Sequence, residues 1–173
     1  GICRALHYLH GQSPAILHGD LKPNNIIIEK SSVESIAHPK LLDFGLARVM
    51  SRHVKPLGGT TAWLAPEIVH GGIGSLSPAA DVFSFGRIMH FVVTGKTVFQ
   101  GTRRSAVKLA LKARRQPEME WSGDSALLPP CRELAESCAA RATDARPRIG
   151  DIHLALDQAA TSIVVAPEWH SAL

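Results

Sequence analysis

The sequence is poor in cysteine, has a single tyrosine and carries no long apolar run. Its three cysteines, Cys3, Cys131 and Cys138, form no C-x-x-C pair. That excludes a disulfide framework and a zinc site built from paired cysteines. The odd count suits a reducing compartment, and hence the cytoplasmic side of a membrane, although location itself is not readable from the residues. No apolar run reaches the roughly 18–20 residues that span a bilayer, so no membrane segment is expected in this chain. There is no internal repeat and no low-complexity tract. The first residue is Gly1 rather than Met, and no charged-then-apolar leader follows it. The chain is therefore expected to be internal to something longer, or processed.

What is present is ordinary for a folded domain. The 173 residues are 45% apolar and 20% charged, enough for one compact core. The net charge of +4 permits an anionic partner without demanding nucleic acid, and none is expected. Basic residues cluster only at Arg103-Arg104 and from Lys112 to Arg115. Such a run reads first as a solvated helix face, with an anion-binding patch as the sharper alternative.

Periodicity predicts a mostly helical chain with one hairpin. Ile2, Leu6 and Leu9 fall on one helical face, and Gly11 suits a stop. Residues 19–25 contain Pro23 and two asparagines and read as a loop. Ile26–Glu29 reads as a short buried strand, residues 31–39 as turn-like, and Lys40–Asp43 as its hairpin partner. Residues 48–59 look irregular. The clearest helix runs from Pro78 to Thr94, with Ser77 as N-cap and Gly95 as stop. Its apolar residues, including Val82, Phe83, Phe85, Ile88, Met89 and Val92, lie nearly all round, which predicts a central buried helix. Further helices are expected at 103–115, 130–141 and 148–159, and the tail from Thr161 has no clear period. The fold class is α+β.

Two constellations carry chemistry. His18-Gly19-Asp20-Leu21-Lys22-Pro23-Asn24-Asn25 sets a carboxylate, a cation and a carboxamide in one loop before a strand. Phosphoryl transfer needs a carboxylate to orient the attacking hydroxyl, a cation to neutralise charge on the moving group and oxygen ligands for Mg²⁺. Asp43-Phe44-Gly45 places a second carboxylate at a strand end. The hairpin between them would bring Asp20, Asn25 and Asp43 to one end.

These residues resemble the protein-kinase family. Its catalytic loop H-R-D-L-x-x-x-N corresponds to His18–Asn25 with Gly19 in place of Arg, and its D-F-G to Asp43–Gly45. Its A-P-E corresponds to Ala65-Pro66-Glu67. The D-x-W-S-x-G signature is similar to Asp81–Gly86 with Phe83 for Trp, and the late R-P pair to Arg146-Pro147. The resemblance covers residues 1–160 as a C-terminal lobe, leaving 161–173 as a tail. It implies Asp20 as catalytic base, Lys22 on the γ-phosphate of ATP, and Asn25 and Asp43 on Mg²⁺. Ile27 would floor the adenine pocket, and His18 and Phe44 would stack in the column between lobes. Gly45 would complete the D-F-G turn, Glu67 and Arg146 would pair to brace the activation segment, and Asp81 would hold the catalytic loop. Lys22, together with Gly59-Thr60, resembles the Ser/Thr type, with Thr60 bonding Asp20 and Lys22. The implied partner is a protein substrate with Ser or Thr.

Two departures bear on activity. Without the arginine at position 19, a phosphate on Ser51 or Thr61 has no bidentate partner there, so control by another route is expected. The glycine loop, lysine-bearing strand and glutamate helix of the N-terminal lobe are not in the sequence. That lobe is the expected partner in cis, and the chain alone is expected to be inactive. Ile27 and Phe44 would lie on the surface that meets it. The competing readings are a non-catalytic, pseudokinase-like binding module and a small-molecule phosphotransferase, which shares the His-Gly-Asp loop.

Overall fold

The computed structural model describes residues 1–30, 37–43, 48–49, 61–70, 77–113, 115–123 and 128–165. Phe44, Gly45, Ser51 and Thr60 lie outside the described residues. Six helices and two small sheets are described: α1 (Ile2–His10), β1 (Ile16–Leu17), β2 (Ile26–Lys30), β3 (Ala37–Leu41), β4 (Arg48–Val49), α2 (Pro66–His70), α3 (Pro78–Thr94), α4 (Arg104–Lys112), α5 (Leu128–Cys138) and α6 (Ile149–Val165). The chain is thus mostly helical, with two antiparallel two-stranded sheets, β1 with β4 and β2 with β3.

Helix α3 is the axis. Every residue from Ala80 to His90 is buried, including Asp81, Arg87 and His90. Pro78 occupies its first turn, and Gly95 ends it in the left-handed region (φ 70°), its N–H reaching Phe91 O. Ser77 is the N-cap residue, but its hydroxyl makes no cap bond; Ala80 N–H bonds Ser77 O instead, at 2.9 Å. The expected all-round burial stops at His90, and Val92 in the last turn is 74% exposed.

Helix α5 packs along α3 and α6 along α1. Leu6, Ala135, Cys138 and Ile152 are fully buried where these helices meet, with Val82, Phe85, Ile88 and Trp63 in the same core. Burying each large aliphatic side chain contributes roughly 1.5–3 kcal/mol. Gly86 sits at the α3–α5 crossing. A Cβ there would lie 2.6 Å from Cys138 Cβ and 2.8 Å from Ala135 O, so the approach of the two backbones requires glycine.

The hairpin corrects the expected burial. Strand β2 is not a buried strand: Ile27 and Ile28 are about half exposed, at 48% and 52%. Ile27 alternates onto the uncovered face, whereas Ile28 shares the face of Ile26 but lies further along the strand, and Ile26 alone of the three packs against the core. Strand β3 begins earlier than expected, at Ala37. Pro39 is accommodated opposite Ile28 because β3 is an edge strand. Strand β4 and helix α2 fall where no element was predicted. Helix α6 runs to Val165, past the expected end at 159.

Candidate functional site

The loop between β1 and β2 is held from below by one residue of α3. Asp81 is 2% exposed. Its Oδ2 accepts from His18 N–H at 2.9 Å and its Oδ1 from Gly19 N–H at 3.0 Å. The His10 ring at the end of α1 meets the same Oδ2 at 2.9 Å. Two separate segments, the end of α1 and the 18–19 loop, thus converge on one buried carboxylate of α3. Gly19 has φ 75°, a conformation that costs a side-chain-bearing residue about 1–2 kcal/mol and glycine almost nothing.

His18 is fully buried and joins the loop to the end of the hairpin. Its Nδ1 accepts from Asp20 N–H at 3.3 Å, which leaves Nε2 to donate to Leu42 O at 3.0 Å. Leu42 N–H in turn donates to Asn25 O at 2.8 Å. Both backbone groups of Leu42 are therefore tied to the 18–25 loop, one residue before Asp43. This stitching, together with the β2–β3 register (Ile26 opposite Leu41), brings the two sequence motifs to the same end of the hairpin. Asp43 itself has φ 59°, a left-handed conformation uncommon for any residue but glycine.

Asp20 is 7% exposed. Its Oδ2 accepts from Lys22 Nζ at 2.5 Å and from Asn25 Nδ2 at 3.2 Å. Asn25 Nδ2 also donates to Asp20 O at 2.8 Å. That bonding directs the Asn25 amide nitrogen at Asp20 and leaves its oxygen as the acceptor end. The other carboxylate oxygen, Asp20 Oδ1, is buried and has no hydrogen-bond partner among the described residues. Buried carboxylate oxygens are almost always paired in native proteins, which marks this one as unusual. A carboxylate with one oxygen anchored by a cation and the other open is equipped to accept a proton from an incoming hydroxyl. The donor set fits a divalent ion of the magnesium type, since Asn25 and Asp43 offer oxygen ligands. Among the described residues no cluster of three or more His, Cys, Asp or Glu could hold a metal by itself.

Glu67 and Arg146 meet in a two-pronged pair, Nη1 to Oε1 at 2.6 Å and Nη2 to Oε2 at 2.9 Å. The Arg146 side chain is fully buried. Its Nε donates to Ala140 O and its Nη1 also to Ala79 O, both at 2.8 Å. The guanidinium lies 5.0 Å from the centre of the Phe83 ring. One arginine thus ties α2, the start of α3 and the segment after α5 together.

Of the sequence-predicted residues, the structure brings His18, Asp20, Lys22, Asn25 and Asp81 into one bonded network, with Asp43 one residue from its Leu42 link. Ile27 is on the exposed face of the hairpin. Phe44, Gly45 and Thr60 lie outside the described residues. Sequence reasoning missed His10 and Leu42. His10 is one of nine histidines with no distinguishing spacing, and Leu42 acts through its backbone. No local signal marks either.

The three cysteines are buried. Desolvation pushes the Cys138 thiol up to about 12 and the Cys3 thiol to about 11, so neither is a nucleophile near neutrality. Among the described residues no helix is long and apolar enough to cross a membrane.

A helical lobe presenting a carboxylate–lysine–asparagine loop beside a strand-end aspartate defines a phosphotransferase-type site. The family model of the protein kinase domain matches residues 1–156. The chain belongs to the protein kinase domain family. It is similar to receptor-interacting serine/threonine-protein kinase 3 of Rattus norvegicus, with 34% identity over 145 residues, 79% of this chain and 28% of that protein. The human protein of the same name is 37% identical over 107 residues, 59% of this chain and 20% of its own. A protein of Acanthamoeba polyphaga mimivirus, R818, is 32% identical over 151 residues, 87% of this chain and 8% of its own. The chain therefore spans well under a third of each of these relatives.

Proposed function

We propose that this chain is the C-terminal lobe, residues 1–160 with a tail at 161–173, of a serine/threonine protein kinase. In this reading it transfers the γ-phosphate of ATP to Ser or Thr hydroxyls of proteins once an N-terminal lobe completes the nucleotide site. The observation that carries the reading is the state of Asp20. One oxygen is anchored by Lys22 and Asn25, and the other is buried with no hydrogen-bond partner among the described residues.

Asp20 Oδ1 accepts the proton of the substrate hydroxyl as that oxygen attacks. Lys22, already against Oδ2, fixes the carboxylate and places positive charge beside the transferring group. Asn25 and Asp43 would hold Mg²⁺, which would supply the positive charge that neutralises the phosphates. The left-handed backbone at Asp43 is the kind of strained conformation that persists where a side chain must be aimed. Ile27, exposed on the hairpin, floors the adenine site. The Ser/Thr preference is supported by the names of the similar kinases and by Lys22. Without a lysine gripping the α/β-phosphates, the chain alone is inactive.

The decisive experiment is a radiolabel transfer assay with Mg-ATP and Ser-, Thr- and Tyr-containing peptides. It compares the isolated chain, the native protein from its source and the native protein carrying Asp20→Asn. Activity is expected only in the native protein, on Ser or Thr, and is lost by at least about 10³-fold in Asp20→Asn. Equal activity of Asp20→Asn and wild type would remove Asp20 from the mechanism. Robust activity of the isolated chain would overturn the need for a second lobe. Intact mass and N-terminal sequencing of the native protein would show whether a glycine loop and a lysine-bearing strand precede Gly1.

A further inference from the structure

Two arginines pack against the ring of Phe83, and they are not equivalent. Arg146 lies 5.0 Å from the ring centre and is neutralised by Glu67. Arg87 lies 5.2 Å from the same ring, is 4% exposed and has no carboxylate partner. Among the described residues its Nη1 and Nη2 reach only one acceptor, Pro117 O, each at 3.4 Å, and its Nε is buried without a partner. A guanidinium stays charged even when burial lowers it, here to about 10. A buried charge lacking a partner is normally a strongly destabilising arrangement.

Arg87 lines a small, solvent-open cleft with about 20 Å³ of free space between α3, the 61–66 segment and residues 115–117. Thr61, Leu64, Phe99, Arg115 and Gln116 line it as well. Arg115 belongs to the basic run of the sequence and is exposed at the rim. Carboxylates are near in sequence, but Glu118 and Glu120 line a different cleft, beside His90. Among the described residues no acidic side chain lines the Arg87 cleft. The cleft therefore offers a buried cation at its wall, a second cation at its mouth, apolar sides and an unused N–H donor.

We propose that the Arg87 cleft binds an acidic side chain of the protein substrate, a carboxylate or a phosphate, and that Arg87 and Arg115 thereby set substrate specificity. The assignment to a substrate rests on the kinase reading, because the 61–66 wall follows directly on Thr60 in the segment read as substrate-docking. An entering anion supplies the countercharge that Arg87 lacks and the acceptor that its Nε lacks. Charge-assisted bonds of that kind favour an acidic over a neutral side chain by about tenfold or more.

The test is equilibrium binding by fluorescence anisotropy on the full chain, at about 0.1 M salt so that surface charge is screened. The probes are dye-labelled serine peptides carrying either glutamate or glutamine on the C-terminal side of the serine, with inorganic phosphate as competitor. The glutamate peptide is expected to bind about tenfold tighter or more, and phosphate to displace it. In Arg87→Met the ratio should fall to near one, and in Arg115→Ala it should fall several-fold. Arg115 is exposed, so its variant decides the matter if Arg87→Met does not fold. A ratio near one in the wild type, or a ratio untouched by both variants, overturns the proposal. Arg87-dependent phosphate binding without peptide discrimination overturns the substrate assignment. Preserved discrimination with no peptide ever phosphorylated sinks the catalytic reading and supports the cleft.

Discussion

Replacing Asp81 by Asn keeps the shape of the side chain and changes one oxygen to an amide nitrogen. The wild-type carboxylate accepts from His18 N–H, Gly19 N–H and the His10 ring, all at 2.9–3.0 Å, in a buried setting. An amide has one acceptor end. If its nitrogen replaces Oδ2, His18 N–H loses its acceptor; if it replaces Oδ1, Gly19 N–H does. His10 can switch tautomer and accept, but a backbone N–H cannot. Either orientation buries one orphaned backbone donor facing one orphaned amide hydrogen. At about 1–3 kcal/mol for each unsatisfied group, Asp81→Asn should destabilise by about 2–5 kcal/mol. For a chain of this size that lowers Tm by roughly 5–15 °C. Urea unfolding followed by far-UV circular dichroism measures it. Transfer activity in the native protein should fall by about 10²-fold or more, because the 18–20 backbone that aims Asp20 is no longer held. His10→Phe, which leaves both backbone bonds intact, should cost no more than about 1–2 kcal/mol. A loss below about 0.5 kcal/mol for Asp81→Asn would refute the reasoning.

Arg146→Met removes the partner of Glu67 and the donors to Ala79 O and Ala140 O, and should destabilise by about 3–5 kcal/mol in the same urea assay. Gly86→Ala drives a methyl group to 2.6 Å from Cys138 Cβ; a loss of about 1–3 kcal/mol or more is expected, partly restored by Cys138→Gly. Cys3 and Cys138 hold folded-state values near 11 and 12 against 9.0 unfolded. Their contribution to stability is complete below about pH 9 and is lost as pH rises through 9 toward 12. While only the unfolded thiols ionise, the loss is about 1.4 kcal/mol per pH unit per thiol, and Cys138→Ala should remove one thiol's share of that slope. Denaturation curves at about pH 8, 9.5 and 10.5 read it directly.

Local chemistry determined a good deal. Ser77, Pro78 and Gly95 bound α3 in the sequence because a helix needs a ring that tolerates its first turn and a left-handed residue at its end. The apolar spacing of Ile2, Leu6 and Leu9 marks α1 for the same kind of reason, and the loop carrying Asp20, Lys22 and Asn25 is legible because its three functional groups are close in the chain. Burial was less legible. Ile26, Ile27 and Ile28 look alike in sequence, yet only Ile26 packs on the core: Ile27 alternates onto the uncovered face, and Ile28, on the same face as Ile26, lies further along the hairpin. The two-residue strands β1 and β4 and the five-residue α2 are too short for periodicity to mark. The long-range ties were invisible to any local rule: His10 against Asp81, Leu42 bonded on both sides, and the contrast between a neutralised Arg146 and an unneutralised Arg87 on one phenylalanine ring. Sequence states which charges a chain owns, but desolvation and pairing depend on what packs around each of them. The tertiary structure alone decided which carboxylate oxygen stays open at Asp20 and which arginine stays without a partner.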